Sequence, residues 1–157
     1  MKPRLVLYQP DIAQNVGSII RTAVCFGLEV HLVEPMGFPW NDAKMRRAGM
    51  DYLERAQVVR HPDWQSFMGG KDSGRLVALT TKGSESLAVF TFKPNDYLLF
   101  GRESAGLPDS VHKQTDARVR IPMAKGERSM NLAQSCAIVG FEALRQTGEL
   151  IEERAGE

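Results

Sequence analysis

Two hydrophobic periods alternate along the chain. Short, densely apolar runs recur at residues 4–9 (RLVLYQ), 29–35 (EVHLVEP), 56–61 (AQVVRH), 75–81 (RLVALTT), 96–101 (DYLLFG) and 117–123 (ARVRIPM). Their length and their apolar, β-branched or aromatic content predict strands. Between them lie segments with helical spacing. A helix is expected over 16–26, with Asn15 as its N-cap and Gly27 as its stop. A short basic helix is expected in NDAKMRRAG, capped by Asn41 or Asp42, another in PDWQSFMGG, and a helical turn in LPDSVHKQ. A longer helix spans 131–146, a weaker apolar patch covers 87–92, and the acidic end at 148–157 is expected to fray.

Strands alternating with helices predict an α/β fold with a largely parallel sheet flanked by helices, and the absence of repeats or linkers predicts one domain over 1–157. The runs at 75–81 and 96–101 are apolar nearly throughout, as strands covered on both faces should be. The final helix carries apolar residues on too wide an arc for one stripe, which predicts burial on more than one side. At its mouth stand Ser129, Met130 and Asn131 in single file. Ser129 suits an N-cap, and the free N–H groups of a helix mouth also suit a ligand.

Open α/β sheets gather ligands at the carboxyl ends of their strands. Three loops at such ends are unusual here: LTTKG (79–83), FGRESAGLP (100–108) and IPMAKGERSMN (121–131). In the second, Gly101 and Gly106 bracket Glu103, so the backbone can turn sharply and approach a ligand closely. The third exceeds the two to six residues usual between a strand and a helix.

Composition narrows the chemistry. Twenty basic against nineteen acidic side chains give no bulk attraction to nucleic acid, so any such affinity must be local. No apolar run is long enough to span a bilayer, and the N-terminal patch is too short for a signal-peptide core. Cys25 and Cys136 lie in apolar helical contexts and are expected as free, buried thiols in a reducing cytoplasm. His31, His61 and His112 are scattered in sequence without metal-ligand spacing, so no metal site is expected. There is no glycine-rich dinucleotide turn after the first strand, no phosphate-loop lysine motif and no nucleophile elbow.

Taken together, the three segments resemble the motifs of the SpoU branch of the SPOUT RNA methyltransferases. NVGSIIR carries Asn15 and Arg21 at that family's spacing; LLFGRESAGLP matches at Gly101, Glu103, Gly106 and Leu107; IPM…SMNLAQ matches at Ile121, Pro122, Ser129, Asn131 and Leu132. The short length and EPMGFPW…RRAGMDY resemble the TrmL subgroup in particular. The resemblance implies a homodimer with a C-terminal trefoil knot, and S-adenosylmethionine as cofactor with S-adenosylhomocysteine as product. It also implies 2′-O-methylation of the wobble cytidine or uridine ribose in leucine tRNA. The alternatives are another tRNA or ribosomal RNA nucleotide, or an RNA-binding module that retains the pocket without turnover.

Carried over by position, the cofactor-binding residues are Leu79, Gly101, Ile121, Ser129 and Met130, and the catalytic set is Arg21, Asn15 and Glu103. A guanidinium in a protein stays protonated. Arg21 is therefore expected to bind the phosphate beside the target ribose and to stabilise the developing alkoxide. Asn15 is expected to fix the loop carrying Arg21, and Glu103 to brace the second motif or pair with a basic side chain. Lys44, Arg46 and Arg47, followed by Tyr52, form a candidate RNA-binding patch, with Arg128 and Lys125 beside the third motif.

Overall fold

The structure is a computed structural model that describes residues 1–47 and 51–150. Seven strands, β1 (Arg4–Tyr8), β2 (Glu29–Val33), β3 (Gln57–His61), β4 (Leu76–Leu79), β5 (Glu85–Ser86), β6 (Tyr97–Phe100) and β7 (Ala117–Arg120), form one sheet in the order β3-β2-β1-β6-β4-β7-β5. Every ladder is parallel. The helices are α1 (Ala13–Phe26), α2 (Asp42–Arg47), α3 (Trp64–Gly70), α4 (Asp109–His112) and α5 (Leu132–Thr147), with a 3-10 turn at Asp51–Glu54. The chain winds outward from β1 to β3 and then returns to build β4, β6 and β7 on the other side. The sheet order reverses beside β1, and a crevice opens there.

The central strands are buried because both faces are covered. On one face Leu5, Leu7, Leu98 and Phe100 pack with Ile19 and Ile20 of α1 and Val139 and Ala143 of α5. On the other, Val6, Tyr8, Tyr97 and Leu99 pack with Phe67 of α3 and Val111 of α4. Complete burial of each large aliphatic side chain stabilises the fold by about 1.5–3 kcal/mol, so β1 and β6, with no exposed residue between them, anchor everything built at their ends.

Several expectations are corrected. α1 begins at Ala13, three residues before Val16, and its N-cap position, Ile12, makes no side-chain bond. Asn15 therefore sits inside the first turn and does not cap. Asp11, the better capping residue nearby, is engaged elsewhere. α5 is capped by Asn131, whose Oδ1 accepts from Ala133 N at 2.8 Å and Gln134 N at 3.4 Å; Ser129 is not the cap. The weaker apolar patch at 87–92 is a turn followed by irregular backbone. It follows the two-residue β5 and buries Leu87, Phe90 and Phe92, while Gln146 of α5 holds its backbone through Phe92 N (2.8 Å) and Phe90 O (2.9 Å). Cys136 is buried, but Cys25 is exposed, because α1 buries Val16, Ile19, Ile20 and Ala23 and turns residue 25 to solvent. The cap of α2 is Asn41, which accepts from Lys44 N at 3.0 Å. Most of the acidic end, 151–157, lies outside the described residues.

His31 and His61, far apart in sequence, are stacked neighbours, with Nδ1 of His31 2.8 Å from Nε2 of His61 and the ring centroids 5.1 Å apart. Burial pushes both imidazoles below their usual pKa, opposed by Glu29 and reinforced at His31 by Arg4 and its partner ring. The unfolded chain thus binds protons near pH 6 that the folded one resists, and stability falls as pH drops through about 6.5. The Tm measured by calorimetry should fall by about 2–4 °C for each kcal/mol lost between pH 7.5 and 5.5. His61→Gln should flatten that decline, and a Tm that rises on acidification would contradict this account.

Candidate active site

The three loops singled out by sequence converge. Those after β4, β6 and β7 meet the mouths of α1 and α5 around a cavity of about 480 Å³, within the range of small-molecule sites. Leu79, Gly101, Ile121, Ser129 and Met130 all line it, with Asn15 and Glu103.

The second loop is a tight hairpin. Arg102 N donates to Gly106 O at 3.2 Å and Gly106 N to Arg102 O at 2.9 Å, with Gly106 in the left-handed region at φ 65°. Gly101 faces that turn so closely that an added Cβ would lie 2.5 Å from Gly106 C. One residue, Asp11, clasps the hairpin to the entrance of α1. Its Oδ1 accepts from Arg102 Nη2 (2.5 Å) and Nε (3.2 Å), and its Oδ2 from Ser104 N (3.0 Å) and Oγ (2.6 Å). These bonds hold the Asp11 carboxyl down at about 2. In return, Asp11 N donates to Glu103 Oε1 at 3.1 Å. The other oxygen, Glu103 Oε2, is buried without a hydrogen-bond partner, and Glu103 is the one acidic residue among those that line the cavity.

The first and third motifs touch through Asn131 Nδ2, which donates to Asn15 Oδ1 at 3.2 Å. Arg21 stands apart. It does not line the cavity; it is exposed on α1, and its guanidinium carbon lies 4.9 Å from the centroid of the Tyr52 ring, as does that of Arg55. Lys44, Lys125 and Arg128 are exposed and also outside the cavity wall. Arg46 and Arg47 end α2, but their side chains lie outside the described residues. Sequence reasoning missed Asp11, Arg102 and Ser104. The latter two occupy the variable positions of the second motif, and nothing local marks Asp11 as their partner.

Among the described residues, no group of three or more His, Cys, Asp or Glu side chains could hold a metal ion, and no helix is long and apolar enough to cross a membrane.

The profile of the SpoU rRNA methylase family matches residues 2–141. The chain belongs to that family. Its all-parallel sheet and helices are those of a SPOUT methyltransferase, and family membership implies the C-terminal trefoil knot. Among curated SpoU relatives, a tRNA (cytidine(34)-2′-O)-methyltransferase of Ancylobacter novellus is 51% identical over 146 residues, covering 92% of each chain. The enzyme of the same name from Escherichia coli K12 is 44% identical, covering 92% of this chain and 93% of its own. A solved structure described as giving structural insights into 2-OH methylation of C/U34 on tRNA superposes with a TM-score of 0.87 at 39% identity, covering 92% of this chain and 95% of that one. The SpoU methyltransferase AviRb of Streptomyces viridochromogenes, solved in complex with AdoMet, gives a TM-score of 0.79 at 28% identity, over 90% of this chain and 56% of that one.

Proposed function

We propose that this SpoU protein transfers a methyl group from S-adenosylmethionine to the 2′-hydroxyl of the wobble cytidine or uridine in leucine tRNA, releasing S-adenosylhomocysteine. The observation that carries the reading is a cavity walled by residues of all three family motifs, with one buried carboxylate oxygen left unpaired. Such a cavity suits a cationic nucleoside cofactor. Apolar Leu79, Ile121 and Met130 would flank it, backbone at Gly101 would come close, and Glu103 Oε2 would accept from one of its donors. When bound, the cofactor supplies an activated methyl, so the ribose O–C bond forms as the S–C bond breaks. The protein's share is alignment, worth roughly 7–11 kcal/mol in favourable cases, and help with the departing proton. Asn15, tied to the cap of α5, fixes the first turn of α1. Arg21 binds the adjacent phosphate and stabilises the developing alkoxide while remaining protonated. Lys44, Arg46, Arg47 and Arg128 hold the anticodon loop. The setting is the cytoplasm, where tRNA is modified.

Arg21 lies outside the cavity of its own chain, and a homodimer offers a way for an Arg21 and a cavity to meet. Support comes from an apolar groove of about 700 Å³ on α5, lined by Phe26, Leu87, Ile121, Ile138 and Phe141. Ile138 and Phe141 are 42% and 45% exposed, and Val89 nearby 79%, an apolar grouping of the kind that marks an interface. Ile121 borders both groove and cavity, so pairing there would brace the site. Phe141→Glu should yield monomers by sedimentation and abolish methyl transfer; an active monomer would exclude the dimer requirement.

The deciding experiment incubates the protein with labelled S-adenosylmethionine and total tRNA and maps the label by nuclease digestion and mass spectrometry. A 2′-O-methyl pyrimidine at the wobble position of leucine tRNA is expected. Cofactor binding without transfer to tRNA would overturn this reading and direct the search to ribosomal RNA.

A further inference from the structure

β7 runs along the β4 side of the sheet, next to the two-residue edge strand β5. Its alternation sends Val119 into the core, while Arg118 and Arg120 emerge on the opposite face, both exposed. Each guanidinium is fixed by neutral backbone carbonyls. Arg120 Nη1 donates to Gly83 O (3.2 Å) and Ser84 O (3.1 Å), in the loop after β4. Arg118 Nη2 donates to His112 O (2.9 Å), at the end of α4. Exposed Lys82 and Lys113 flank them, and Lys82 and His112 also line the cavity.

This arrangement differs both from the five carboxylate-paired arginines and from Arg21 and Arg55, which lie over the Tyr52 ring. Arg4, Arg60, Arg75, Arg102 and Arg145 each have a carboxylate within 2.5–2.7 Å. No carboxylate among the described residues makes an ion pair with Lys82, Lys113, Arg118 or Arg120. The acids nearby are otherwise disposed. Asp116 accepts from Leu76 N (2.7 Å) at the far end of the strands, and Glu85, in register with Val119, belongs to the other face. Asp109 acts on His112, whose imidazole is held below its usual pKa by burial and then by Arg118 and Lys82, with Asp109 opposing. Guanidiniums ordered by carbonyls keep their charge and have already lost their rotamer freedom, so an anion meets them at reduced entropic cost.

We propose that Lys82, Lys113, Arg118 and Arg120 form a phosphate-binding strip that takes the RNA backbone flanking the target ribose and leads it to the cavity mouth. The inference rests on the tRNA reading above. It adds a second basic surface on the β7 side of the crevice, whereas Lys44, Arg46 and Arg47 belong to the β2–β3 side. RNA would thus be gripped from both flanks.

The test is tRNA affinity of the double variant Arg118→Ala/Lys113→Ala, by fluorescence anisotropy from 50 to 200 mM KCl with saturating S-adenosylhomocysteine. Each lost phosphate contact lowers the log–log salt slope by about 0.7–0.9, so the double variant should lose about 1.4–1.8. S-adenosylhomocysteine affinity by calorimetry should stay at the wild-type value, and Arg118→Lys/Lys113→Arg should restore the slope. If the double variant fails to fold, Lys113→Glu alone, at an exposed position, should lower the slope. Wild-type slope in a folded variant overturns the strip and leaves the tRNA reading intact. A wild-type protein that binds no tRNA overturns both.

Discussion

Asp11→Asn should lower the single-turnover rate of methyl transfer by about 100-fold, the scale of a 1 Å misplacement at a reacting centre. In the native protein both carboxylate oxygens accept hydrogen bonds, one set from Arg102 and the other from Ser104. An amide keeps one acceptor, points an N–H₂ group at donors, and removes the charge opposite Arg102. Asp11 N also holds Glu103 Oε1 at 3.1 Å, so a shift of this turn moves the one acidic residue that lines the cavity. Asp11 is a positioning residue, and its loss should reduce the rate far more than cofactor affinity. Leaving the guanidinium and serine donors unsatisfied should cost about 1–3 kcal/mol of stability. Urea unfolding of Asp11→Asn, Arg102→Ala and the double variant should give a coupling energy of about 1–3 kcal/mol. With its carboxyl near 2 in the fold, against about 3.9 unfolded, the clasp contributes fully above pH 4 and is lost as pH falls towards 2. It therefore adds no pH dependence to turnover near neutrality. Wild-type turnover by Asp11→Asn would remove Asp11 from the machinery.

Gly101→Ala should abolish cofactor binding. The new Cβ would meet Gly106 C at 2.5 Å and Gly106 Cα and Leu107 N at 2.7 Å, all of them backbone atoms that cannot rotate away. The hairpin from Arg102 to Gly106 must open, and the cavity wall moves with it. Overpacking of this kind costs about 1–3 kcal/mol in stability. Calorimetry with S-adenosylhomocysteine should show at least ~100-fold weaker binding, equivalent to about 2.8 kcal/mol, with the sheet still folded by circular dichroism. Gly70→Ala, where a Cβ meets nothing within 4 Å, should bind normally. Near-native affinity in Gly101→Ala would mean that the hairpin yields more easily than its packing suggests.

The elements were legible because their signals are local. The continuous apolar runs at 76–79 and 97–100, the Gly27 stop and the short helices at Asp63 and Pro108 depend on residues a few positions apart. The start of α1 was misread because Asn15 looks like a cap to any local rule. Asp11, the true competitor, spends its carboxylate on residues more than ninety positions away. Ser129 was misread for a related reason. It stands two residues before Asn131, which occupies the cap position and accepts from Ala133 N and Gln134 N.

By itself, then, the sequence determined the strand–helix alternation, the loops that carry unusual residues and, through motif order, the family. Periodicity, turn chemistry and spacing are properties of neighbouring residues, so they survive without coordinates. Only the tertiary structure decided that His31 and His61 stack, that Asp11 joins two motifs, and that Arg21 lies outside the cavity. It also decided that Arg118 and Arg120 keep their charge unpaired beside that cavity. Those facts depend on which strands of a parallel sheet become neighbours. Parallel neighbours are joined by long crossovers, so they bring together residues whose separation in the chain carries no local signal.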